Sequence, residues 1–71
     1  MQRLKEFRVS TGLSMCKMAR ILDVSLSFYE KIERAHIQPS RAFMQKMKRA
    51  FPDINIDSVF FSDIEAVVKN A

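Results

Sequence analysis

Seventy-one residues are expected to form one domain, with no second, effector-binding one, and a single Cys excludes a disulfide within them. The early charges of residues 1–6 do not read as a signal peptide, and no apolar run approaches the roughly 18 residues of a spanning helix, so a reducing cytoplasm is the expected setting and no membrane the expected partner. The formal charge of +4 is unevenly spread: residues 1–49 hold eleven Lys or Arg against four Asp or Glu, a net +7, and residues 50–71 one Lys against four, a net −3.

With one Gly and two Pro in the whole chain, several short helices with tight connections are expected rather than sheet. The first is predicted over residues 2–11, closed by Gly12, which suits the left-handed stop of a helix. At about 100° per residue, Leu4, Phe7, Arg8 and Thr11 share a face, so a guanidinium lies on the side that should be buried. An unpaired internal charge costs several kcal/mol, and Arg8 therefore needs a carboxylate. Glu33 is the candidate, because it projects beside Tyr29 and Ile32. The competing arrangement has both side chains reaching out to water.

Residues 14–33 organise the rest of the chain. Ser14 is expected to cap a second helix over 15–22, and Ser25 a third over 26–34. Met18, Ala19 and Leu22 form the apolar face of one, Tyr29 and Ile32 that of the other, and the two faces can be buried only against each other. Ala19 permits close approach and Val24 fills the corner. Asp23 has to turn the chain, at a position that often requires φ > 0, which Asp tolerates with some strain.

Residues 35–38 form a loop, Pro39 fixes its exit, and Ser40 caps a fourth helix. Its stripe of Phe43, Met44, Met47, Ala50 and Phe51 belongs to the core, with Arg41, Lys46, Lys48 and Arg49 on the other side. Pro52 stops it. Asn55 caps a short fifth helix, and Phe60 or Phe61 completes the core. In residues 62–71, Ile64, Val67 and Val68 recur at helical spacing, which fits a short sixth helix, a dimer contact or a frayed tail.

Leu13, Met18, Ala19, Leu22, Val24, Tyr29, Ile32, Pro39, Ser40 and Phe60 together form a pattern far more specific than one short motif. By that pattern, residues 4–60 resemble the helix-turn-helix proteins of the Cro and repressor family of bacteria and phages. The resemblance implies an all-α, compact five-helix, lambda-repressor-like DNA-binding domain over residues 1–61. Its third helix would lie in the major groove of double-stranded DNA. There Lys31 would reach guanine O6 and N7, Ser27 would pair with several bases, and Leu26 or Phe28 would pack on a thymine methyl. Family positions that touch phosphates match Met15, Lys17, Arg34, His36 and Arg41. The family commonly ties its first helix to its third by an Arg and Glu pair, the places held here by Arg8 and Glu33.

The likeness also implies a homodimer that represses transcription, with self-contact around Val59, Phe61, Ile64 and Val67. A basic body fits a phosphate backbone, although excess Lys and Arg also serve solubility. Three departures stand out: Asp23 replaces the usual turn Gly, Arg34 and Ala35 replace an Asn-Gly pair, and Met15 replaces a frequent Gln.

His36 has no Cys or acidic cluster near it, so no metal and no cofactor is expected. Cys16, in the first turn of the second helix, reads more simply as a small residue than as a redox switch. No nucleophile, base and oxyanion set can be assembled, and no enzymatic reaction is expected. Glu30 puts negative charge on the groove-facing side, where it would accept from cytosine N4 or pair with Arg34 at i+4. The competing function is a protein-interaction module on the same fold, antirepressor or antitoxin-like, using Leu26, Phe28 and the tail to hold a regulatory protein partner.

Overall fold

Four side chains set where helices begin. Ser14, Ser25 and Ser40 sit in extended conformation and accept hydrogen bonds from the amides of Lys17, Phe28 and Phe43, each at 3.1 Å. Asn55 accepts from Ser58 at 3.0 Å. Each cap satisfies an amide that the first helical turn leaves without a partner, worth about 1 kcal/mol.

The computed structural model describes residues 1–61, and among these the secondary structure is entirely helical. The elements are α1 (Gln2–Ser10), α2 (Met15–Ile21), α3 (Leu26–Glu33), α4 (Arg41–Ala50) and α5 (Ile56–Phe60). The first three stop one residue short of the expected ends, because Thr11, Leu22 and Arg34 serve as C-caps. Thr11, expected on the buried face, is exposed, and its hydroxyl donates to the Arg8 carbonyl at 2.6 Å.

One device closes all three of these helices. Gly12, Asp23 and Ala35 take left-handed φ values of 77°, 57° and 63°, and each is followed by an amide that reaches back five residues. Leu13 donates to the Arg8 carbonyl at 3.4 Å, Val24 to Ala19 at 3.0 Å and His36 to Lys31 at 2.7 Å. The second bond of the motif is present each time, from Gly12 to Val9, Asp23 to Arg20 and Ala35 to Ile32. Gly adopts this conformation freely, whereas Asp and Ala carry strain of about 1–2 kcal/mol.

The helices bury a shared core of Leu4, Met18, Ala19, Leu22, Tyr29, Ile32, Phe43, Met47, Ile54, Val59 and Phe60. α2 packs on α3, and α1 packs on both α3 and α5. Phe43 stands near the middle, edge-on to Phe60 with centroids 6.2 Å apart, and Phe7 meets Phe51 edge-on at 5.2 Å. Burying each of the larger side chains contributes about 1.5–3 kcal/mol, so a domain this small depends on nearly all of them.

Val59 and Lys46 lie elsewhere than their sequence positions suggest. Val59, read as part of a dimer contact, is buried in the protomer's own core and has almost no surface to offer a second copy. Lys46, placed on the polar side of α4, is half-buried and donates to the Asp23 carbonyl at 3.2 Å, pinning the turn between α2 and α3. The expected sixth helix or tail over 62–71, with Ile64, Val67 and Val68, lies outside the described residues. Among the described residues no helix is long and apolar enough to cross a membrane.

Candidate nucleic-acid interface

The two sides of α3 differ sharply. Tyr29, Ile32 and Glu33 are buried, while Leu26, Ser27, Lys31 and Arg34 are exposed and Glu30 is half-exposed. The inner side is held by chemistry as well as by packing. Arg8 Nε donates to Glu33 Oε2 at 2.8 Å, Nη2 to Oε1 at 3.0 Å, and Nη1 to the Leu13 carbonyl at 2.8 Å. The side chains of this pair are only 11% and 2% exposed.

Burial is the largest single influence on the Glu33 carboxyl and would raise it, but the hydrogen bonds and charge of Arg8, with smaller help from Tyr29 and Lys5, together outweigh it and hold the group below the usual carboxylate range. In return, the hydrogen bond to Glu33 pushes the Arg8 guanidinium up. Tyr29 is pushed well above its ordinary value, chiefly by burial and then by the neighbouring Glu33 carboxylate. The charges of Arg8 and Glu33 thus cancel inside the molecule. They fix α3 and do not contribute to its outward potential.

On the outer side, Leu26, Ser27, Glu30, Lys31, Arg34 and His36 line one shallow depression. It unites three residues expected to read bases with two expected to touch phosphates. Phe28 is not among them. Although 37% exposed, its ring lies against Phe43, with centroids 6.2 Å apart at 64°, which commits one face of it to the protein. Met15 is also turned inward: it is half-buried and packed against the core, so its side chain is not offered to a phosphate. Lys17 on α2 and Arg41 at the start of α4 are exposed and stand outside the depression.

A second hollow, lined by Cys16, Ala19, Arg20, Asp23, Val24 and Leu26, adjoins the first through Leu26. Arg20 is exposed on α2 and adds a cation at the N-terminal end of the α3 face. Sequence reasoning missed it. Its spacing of three from Lys17, on the side of α2 opposite Met18 and Leu22, is the signal that marks it.

Within the first depression, Arg34 Nη2 lies 3.3 Å from Glu30 Oε2, an i,i+4 contact along the outward side of the helix. Lys31 makes no ion pair among the described residues, so its ammonium is available to a ligand. The surface can therefore offer one free ammonium, one guanidinium tethered to a carboxylate, a hydroxyl, an imidazole and an apolar contact. Such a set recognises hydrogen-bond acceptors and negative charge through its cations, and a hydrogen-bond donor through Glu30.

No family model matches this chain, and comparison with curated proteins and with solved structures gives no match either.

Proposed function

We propose that this chain binds double-stranded DNA with α3 in the major groove, and that it is a transcriptional regulator, a repressor, of a bacterium, phage or mobile element acting in the cytoplasm. The reading takes α2, its turn and α3 as a helix-turn-helix and the five helices as a lambda-repressor-like domain. One observation carries it: Leu26, Ser27, Glu30, Lys31, Arg34 and His36 surround one depression, three of its six side chains basic and one acidic, on the side of α3 opposite the buried Tyr29, Ile32 and Glu33. An α-helix is about 10–12 Å across and the major groove about 12 Å wide, so an outward helix face with short polar and cationic side chains fits there.

Lys17 and Arg20 on α2 and Arg41 on α4 supply cations for the phosphate backbone on either side. A helix of eight residues is about 12 Å long and spans only a few base pairs. Specificity then needs a second copy on a half-site about 34–36 Å away, hence a homodimer. Fluorescence anisotropy of a short mixed-sequence duplex tests the reading. Binding should be measurable at about 50 mM salt and fall steeply by about 200 mM, as released counterions require. No binding at the lower salt would overturn it.

Leu26 at 40%, Phe28 at 37% and Ile37 at 36% exposure leave apolar surface at both ends of α3. They favour the second reading, a protein-interaction module on the same fold. That reading predicts negligible duplex binding at any salt.

A further inference from the structure

Glu30 is the residue that a face evolved only to attract phosphates would not contain. It is the one carboxylate lining the depression among the described residues, its side chain is 31% exposed, and it lies 3.3 Å from Arg34, whose side chain is 60% exposed. Negative charge there repels the DNA backbone and subtracts from binding to every sequence. A carboxylate in the groove gains only where the base edge presents a donor.

Cytosine N4 is such a donor, whereas guanine and thymine place acceptors at the corresponding depth. In a C·G pair, N4 stands beside guanine O6, to which it is hydrogen-bonded at about 2.9 Å. An acceptor oxygen and a donor nitrogen 3.3 Å apart match that spacing. In an A·T pair the single donor, adenine N6, is flanked by one acceptor on each side, so a guanidinium beside the carboxylate finds no bidentate partner.

We propose that Glu30 and Arg34 act as a unit that reads one C·G base pair, Glu30 accepting from cytosine N4 while Arg34 donates to guanine O6 and N7. This rests on the DNA-binding reading above and names what that surface selects. Glu30 lowers affinity for DNA in general and restores it at the right base pair, so its effect is on discrimination.

Selection of binding sites from random duplexes tests this, run in parallel on the full chain and on its Glu30→Gln and Glu30→Ala variants. The wild-type chain should enrich sites with one position held as C·G. Glu30→Gln should move that position to A·T, because a Gln amide pairs with adenine N6 and N7. Glu30→Ala should weaken the preference there to the guanine bias of Arg34 alone, and the remaining positions should stay as they are in both variants. The preference at that position should change by about tenfold or more, the usual cost of one mismatched pair. Both variants should also hold a mixed-sequence duplex more tightly than the wild type.

An identical consensus from all three proteins would overturn the inference and leave the DNA-binding reading standing. Uniform loss of enrichment in both variants, with helical circular dichroism unchanged, would make Glu30 a positioning residue and overturn the inference as well. No enrichment by the wild-type chain at low salt would overturn both.

Discussion

The Arg8 guanidinium grips both carboxylate oxygens of Glu33, at 2.8 and 3.0 Å, across a sequence separation of 25 residues. With its remaining nitrogen it also holds the Leu13 carbonyl at 2.8 Å. One side chain thus ties α1, the turn after it and the last turn of α3 into a fixed relation. Two parallel charge-assisted bonds add geometric definition as well as energy. The outward face of α3 is presented at a set angle because its inward face is clamped.

Removing one partner of this pair leaves the other buried and uncompensated. Arg8→Ala or Glu33→Ala should cost about 3–5 kcal/mol, a large part of the stability of a domain this small. Urea unfolding followed by circular dichroism measures it. The double replacement Arg8→Met with Glu33→Leu should recover much of the loss, since well-packed apolar groups can take the place of an ion pair. It would lose the bond to Leu13 all the same.

Stability should depend on pH at both extremes. The Glu33 carboxyl is held below its ordinary value when folded, so its contribution is complete above the unfolded value of about 4.3 and is lost as pH falls through the folded one. Tyr29 is raised when folded, so its contribution is complete below the unfolded value of about 10 and declines as pH rises further. The urea midpoint should be flat between these limits and fall outside them. In Tyr29→Phe the alkaline decline should be reduced.

The strained turns give a prediction of opposite sign. Ala35 sits at φ 63° and Asp23 at φ 57°, conformations that glycine adopts without cost. Replacing Ala35 by Gly should therefore stabilise the fold by about 0.5–1 kcal/mol, the relief of strain exceeding the entropy lost with the side chain. In a domain of this size that corresponds to a melting temperature higher by about 2–8 °C. Gly12→Ala should act the other way, since Gly12 stands at φ 77°.

The two kinds of DNA contact proposed above are separable by mutation. Lys31→Ala should relax preference at one base pair and leave the melting temperature unchanged, because Lys31 is exposed and its side chain accepts no structural task among the described residues. Arg20→Ala and Arg41→Ala should weaken binding to every duplex about equally and reduce the salt slope by about 1 each. Anisotropy on specific and scrambled duplexes at several salt concentrations distinguishes them.

Much of this arrangement is legible in the sequence because it depends on local chemistry. Ser14, Ser25, Ser40 and Asn55 announce helix starts by their side-chain oxygens, and Gly12 and Asp23 mark turns by the backbone angles they tolerate. The pairing of Arg8 with Glu33 is legible too, since helical periodicity turns both inward. What escapes is what tertiary proximity alone decides. Ile54 enters the core from a connection with no periodicity, Lys46 reaches back to a turn 23 residues away, and Phe28 is drawn onto Phe43. Arg20 joins the α3 face only once α2 and α3 have packed together.

Whether one side of α3 meets duplex DNA, as proposed above, is visible residue by residue in a nuclear magnetic resonance titration. Adding a short duplex at low salt to the isotope-labelled chain should shift the amide resonances of Ser27, Glu30, Lys31 and Arg34 first and furthest. Those of Arg20 and Arg41 should follow, and those of α5 should remain in place. Shifts confined to α1 and α5, or a spectrum unchanged by excess duplex, would mean that α3 does not bind DNA.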